Sequence, residues 1–81
     1  MNDLELSDMV KRVLFDVAPD LEGETVDPKT PFREQFEFDS MDFLNFIIGL
    51  HQASGAQIPE ADYPQLASLD DCVAYLKARN V

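Results

Sequence analysis

Residues 38–58 read Phe-Asp-Ser-Met-Asp-Phe-Leu-Asn-Phe-Ile-Ile-Gly-Leu-His-Gln-Ala-Ser-Gly-Ala-Gln-Ile. Two signals bracket a helix in this stretch. Asp39 and Asp42 stand at capping-box spacing, with Asp in place of the usual Glu or Gln at the second position. Gly55 follows Ser54 where a helix closes most easily through a left-handed residue. Between these marks Leu44, Ile47 and Ile48 recur at helical spacing, and Phe43, Phe46 and Leu50 widen the stripe. The segment is therefore read as a helix beginning at Asp39–Ser40 and ending at Ser54–Gly55. It carries more apolar surface than one buried face needs.

The sequence on either side has the same period. Upstream, Leu6, Val10, Val13, Leu14 and Val17 draw one stripe on a helix from about Leu4 to Val17, with Asp3 or Ser7 as its cap. Ala18-Pro19 ends it, because the residue before proline avoids helical dihedrals. The connection from Pro19 to Phe38 holds Gly23, Pro28, Pro31 and many acids, so little regular structure is expected there. A loop that long must be tied down, and Leu21, Val26, Phe32, Phe36 and Phe38 are the anchors available. Downstream, a short element is expected over Glu60–Leu66, with Pro59 in its first turn and Pro64 limiting its length. A last helix follows Ser68, which pairs with Asp71 as a second box. Leu69, Cys72, Val73 and Leu76 form its inner stripe, and Lys77 and Arg79 suit its C-terminal dipole. The expected fold is all-α: a small four-helix bundle of three main helices plus one short helix, with a long first loop, in a single domain over residues 1–81.

Composition narrows the function. A chain of 81 residues buries only about 60% of its unfolded surface, which leaves little room for a deep catalytic pocket. Its net charge of −10 repels nucleic acid and anionic membranes and draws it toward basic patches on proteins. The single cysteine, Cys72, allows neither an internal disulfide nor a multi-thiolate zinc site and is read as a buried structural residue. His51, the only histidine, is read as an exposed polar residue with no special role, and no multi-histidine metal site is possible. Tyr63 and Tyr75 are read as core or rim aromatics. No basic segment followed by an apolar run opens the sequence, and Phe43–Pro59 is too short and polar to cross a membrane. A cytoplasmic protein is expected.

Chemistry concentrates at Phe38–Leu44. Ser40 stands at the N-terminal end of an apolar helix, where free amides and a partial positive charge suit a phosphate. Asp39 caps the turn, and Asp42 flanks Ser40 from the other side. From this local pattern alone, an ordinary helix cap is the simpler reading.

The motif Asp39-Ser40-Met41-Asp42 resembles the attachment motif of the acyl carrier protein family, Asp-Ser-Leu followed by an acidic residue. The resemblance extends along nearly the whole chain. It takes in the first helix, the acidic loop, the Gly55-Ala56-Gln57-Ile58-Pro59-Glu60 segment and the closing Ser68–Leu76 segment. It implies that Ser40 accepts 4′-phosphopantetheine from coenzyme A through a phosphodiester, with Asp39 as part of the motif. The transfer would be made by a separate phosphopantetheinyl transferase using magnesium. Cargo would ride as a thioester on the arm, and the carrier would catalyse nothing. Acyl-transferring or synthase enzymes would be its partners, visited briefly by a monomer. The resemblance also marks Met41, Asp42 and Ile48 as partner-recognition positions, and Phe43 joins them as a candidate. The chain departs from the family after Asp42: no acidic residue occurs until Glu60. Partner recognition is therefore expected to be more apolar than is usual in the family, in a dedicated fatty-acid, lipid or polyketide-type pathway.

Other readings fare less well. A serine hydrolase lacks its Gly-x-Ser-x-Gly, and His51 lies about 16 Å along the helix from Ser40. Asp20-Leu21-Glu22-Gly23-Glu24 lacks the ligand alternation of a calcium loop. Carriers of aminoacyl cargo usually have Gly-Gly-x-Ser where this chain has Glu37-Phe38-Asp39-Ser40. A non-carrier acidic helical interaction domain would have no use for Ser40 between two aspartates.

Overall fold

Three helices carry the fold, and each begins at a side chain that satisfies an otherwise orphaned amide. A computed structural model describes residues 1–81. The first helix, α1, spans Asp3–Val17. Its cap is Asn2, not Asp3 or Ser7: Glu5 N–H donates to Asn2 Oδ1 (2.8 Å) and Asn2 N–H donates to Glu5 Oε1 (3.1 Å). Asn followed three residues later by Glu closes both halves of a capping box, and that places Asp3 inside the first turn. Leu6, Met9, Val10, Val13 and Leu14 are buried along one face. Each such side chain contributes roughly 1.5–3 kcal/mol of burial.

The connection is more ordered than its composition predicts. A 3₁₀ turn covers Pro19–Leu21, and one turn of α-helix, α2, covers Phe32–Gln35. The side chain of Gln35 is the cause of much of this order. It accepts from Asp27 N–H (2.9 Å) and donates to the carbonyls of Asp27 (2.9 Å) and Thr30 (2.7 Å). Asp27 in turn accepts from Lys29 N–H (3.0 Å) and the Thr30 hydroxyl (2.9 Å), which hold its carboxyl below the usual range. Two backbone bonds fasten the loop to the far side of the molecule: Phe32 N–H to Ala67 O and Asp70 N–H to Pro28 O, both 2.9 Å. The expected anchors do enter the core. Val26, Phe32 and Phe38 are buried, and Leu21 and Phe36 pack against them.

Helix α3 spans Ser40–Ser54 and closes at Gly55, whose φ of 75° is left-handed as expected. His51 is half-buried rather than exposed. Its Nδ1 lies 2.8 Å from Ala56 O, which fixes the chain just beyond the turn. The short element is a 3₁₀ segment over Glu60–Leu66, with Pro64 inside it. Pro59 precedes it in an extended conformation rather than entering its first turn. Helix α4 spans Leu69–Ala78, and Ser68 Oγ accepts from Asp71 N–H (3.2 Å). Helix α1 packs against both α3 and α4, so it stands at the centre of the bundle. Arg79 does more than complement a dipole. It pairs with Asp62 (2.7 Å), donates to Gln57 O (3.1 Å) and lies over the Tyr75 ring. Tyr75 OH donates to the same carboxylate (2.7 Å), which locks α4 to the 3₁₀ segment. Burial and this bond to Asp62 raise the Tyr75 phenol above its ordinary pKa.

Candidate functional site

The N-terminal end of α3 is built by the residues on either side of it. Phe38, two positions before Ser40, is buried against Phe32 (ring centroids 6.0 Å) and Phe46 (6.1 Å), and Phe32 meets Phe46 edge-on at 5.3 Å. Aromatic pairs in such geometry add about 0.5–1.5 kcal/mol beyond their burial. The chain is therefore fixed to the core immediately before the helix and again one and a half turns into it. Asp39 sits between, in extended conformation, and its Oδ1 accepts from Asp42 N–H (2.8 Å). The return bond, from Asp39 N–H to Asp42 Oδ2, is longer at 3.4 Å.

Ser40 is the first residue of this helix and is exposed. None of the hydrogen bonds at this helix end uses its hydroxyl, and the amides of Ser40 and Met41 have no partner in the chain. A phosphate diester on Ser40 Oγ would meet two free donors and the positive end of a helix of 15 residues. Those groups would oppose the repulsion from Asp39 and Asp42, each of which has one carboxylate oxygen engaged in the cap. The residues present fit a phosphopantetheine arm at this position.

The predicted site residues fall into two groups. Asp39, Ser40 and Asp42 come together at the helix end, as read from the sequence. Met41 and Ile48 lie on the outer face of α3, with 64% and 46% of their surface exposed. Leu44, which the periodicity groups with Ile47 and Ile48, is 40% exposed. Met41, Leu44 and Ile48 stand at i, i+3 and i+7, so they form one apolar line running away from Ser40. That spacing was the signal in the sequence that would have found Leu44. Phe43 belongs to the inner rim instead. It is half-buried and packs on Phe46 (6.5 Å) and edge-on to Tyr63 (6.3 Å). Beside it is an apolar depression of about 300 Å³, lined by Pro31, Arg33, Phe43, Tyr63, Pro64 and Ala67. Of its lining residues, Phe43 stands about one helical turn along α3 from Ser40.

Nothing else in the molecule competes as a reactive centre. Cys72 is fully buried, and burial pushes its thiol far above the ordinary range, so it packs as an apolar residue. No three His, Cys, Asp or Glu side chains are grouped to hold a metal ion. No helix is long and apolar enough to cross a membrane.

The sequence that builds this helix end and most of the bundle matches a known family. The family model described as phosphopantetheine attachment site matches residues 6–76, and the chain belongs to that family. Its members are carriers, not catalysts, and hold 4′-phosphopantetheine covalently. Among individual proteins the chain is similar to acyl carrier proteins. It is 26% identical to that of Lactobacillus acidophilus over 78 residues, which is 96% of each chain. It is 28% identical to that of Thermosynechococcus vestitus over 76 residues, covering 94% of this chain and 93% of the relative. A third, from Rubrobacter xylanophilus, is 33% identical over 51 residues, or 63% of each chain.

Proposed function

We propose that Ser40 is the residue that takes the 4′-phosphopantetheine arm, and that the chain ferries acyl groups as thioesters on it. The observation that supports this choice is the state of the serines. Of the four, Ser68 is buried and spent on the α4 cap, and Ser54 is bonded to Leu50 O (2.6 Å) and Ala56 N–H (3.1 Å). Ser7 is half-buried within α1. Only Ser40 is exposed at a helix end. A separate phosphopantetheinyl transferase would direct its hydroxyl oxygen onto the phosphorus of coenzyme A that bears the pantetheine. The nucleotide half would leave, and a phosphodiester would form. When bound, the arm supplies a thiol that carries cargo as a thioester. Asp39 holds the helix start rigid, and the free amides of Ser40 and Met41 face the phosphate.

Met41, Leu44 and Ile48 then serve as the contact line for the transferase and for acyl-transferring or synthase enzymes, with Asp42 at its head. Beyond Asp42 the helix has no acid, so contact there is apolar. This supports a dedicated fatty-acid, lipid or polyketide-type pathway rather than general fatty-acid synthesis. The depression beside Phe43 offers the first carbons of a cargo an apolar surface. The chain works as a single-domain cytoplasmic monomer in this reading.

Incubation with a promiscuous phosphopantetheinyl transferase, coenzyme A and magnesium should raise the intact mass by one phosphopantetheine group. The gain should vanish in Ser40→Ala. A gain that persists in Ser40→Ala, mapped to another serine, would overturn the assignment.

A further inference from the structure

An open feature of the surface lies away from Ser40, along the seam of α1 and α3. The two helices approach closely at Gly49, where a Cβ would stand 2.6 Å from Val13 Cγ1. Beside that crossing are two depressions of about 450 and about 470 Å³. They share Met9, Arg12 and Ala53 and so form one groove. Its floor is apolar, made by Met9, Val13, Ile48 and Ala53. Its two walls differ in charge. The α1 wall carries Glu5, Asp8 and Asp16 against two cations, Arg12 and the Met1 ammonium at its end, and keeps an excess of negative charge. The α3 wall is uncharged, with Asn45 and Gln52.

We propose that this groove binds a basic amphipathic helix of a partner protein. Glu5 to Asp16 spans about 16 Å, the length of three turns of an incoming helix. The apolar face of that helix would rest on Ile48, Met9 and Ala53, and its cations would meet Glu5, Asp8 and Asp16. An acidic wall with an apolar floor repels anionic lipid and nucleic acid, which leaves a cationic protein segment as the matching chemistry.

The place of the groove gives it a distinct use. Ala53 lies about 20 Å down α3 from Ser40. A partner seated there covers Ile48 but leaves Ser40, Met41 and Leu44 open, so an enzyme visiting at the same time would meet the first part of the contact line. The carrier can then be held by one protein while its other end engages an enzyme, and each enzyme visit becomes effectively intramolecular. This docking does not require that the chain be loaded, so it fails or stands apart from the assignment of Ser40.

The test is an NMR titration of the isotope-labelled full chain with a synthetic 15-residue Leu/Lys amphipathic helix. A scrambled peptide of the same composition is the control. The expected result is amide shifts at Met9, Asp16, Gly49, Gln52 and Ala53, with binding about tenfold tighter than the scrambled peptide. Asp8→Lys with Asp16→Lys should weaken binding about tenfold and leave loading at Ser40 unchanged. Should the double reversal fail to fold, Gln52→Glu on the opposite wall should tighten binding about threefold. Equal affinity for the scrambled peptide would overturn the proposal. So would shifts centred on Met41 and Leu44 or on the acidic loop, or affinity indifferent to these charges.

Discussion

Helices α1 and α3 have the same length, 15 residues, and both begin with a complete capping box. They use their apolar residues differently. Helix α1 buries Leu6, Met9, Val10, Val13 and Leu14 and leaves only Leu4 well exposed among its large apolar side chains. Helix α3 is the more apolar in composition, yet it buries only Phe46, Ile47 and Leu50 fully and leaves Met41, Leu44 and Ile48 in solvent. A scattered exposed Leu or Met needs no explanation, but three in line on one helix do. The difference teaches that α1 is composed to hold the bundle, while α3 is composed both to hold it and to present a surface.

The sharpest break between the two faces of α3 should come from Phe46, which joins the three-ring cluster behind Ser40. Phe46→Ala should cost about 3–5 kcal/mol, a large share of the stability of a chain this size, measured by urea unfolding. Next is the seam between the two helices. Gly49→Ala drives a Cβ into Val13, whose branched side chain has little freedom in a helix. Overpacking of about 1–3 kcal/mol outweighs the roughly 1 kcal/mol gained in helix propensity. Adding Val13→Ala should recover part of that loss, and a double-mutant cycle reads the coupling. The two caps separate structure from function. Asn2→Ala and Asp39→Ala should each cost about 1 kcal/mol, but only Asp39→Ala should slow phosphopantetheine transfer. The smallest effect lies in the loop joining the helices. The carboxyl of Asp27 titrates lower when folded, so its contribution is present above its unfolded pKa and is lost as pH falls through the folded value. Asp27→Asn should lower the neutral plateau of the stability profile slightly and leave its acid end where it is, so that the acid limb becomes flatter.

The sequence was most informative where a local rule has one solution. Asp39, Asp42 and Gly55 bracket α3 because caps and left-handed closures admit few residues. The burial of Phe32 and Phe38 followed from a long loop needing anchors. It was least informative where side chains act at a distance. No local pattern announces that Gln35 would close the Asp27–Thr30 turn, that Ala67 O would receive Phe32 N–H, or that Arg79 would reach Asp62. The cap of α1 was misplaced because Asp3 and Ser7 are also good caps. Only the reciprocal bond from Glu5 selects Asn2. Leu44 is not singled out by the sequence because periodicity reveals apolar positions without revealing which of two apolar stripes faces the core.

The claim that α3 carries a working outer face is tested most directly by the rate of phosphopantetheine transfer to a Met41→Ser, Leu44→Ser, Ile48→Ser chain. The account predicts a fall of about tenfold or more in kcat/KM under conditions where the chain stays folded, with the unfolding midpoint only modestly lowered because 40–64% of the surface of each of those side chains is already in solvent. Transfer at the wild-type rate, or a fall in rate that merely tracks a loss of fold, would contradict it.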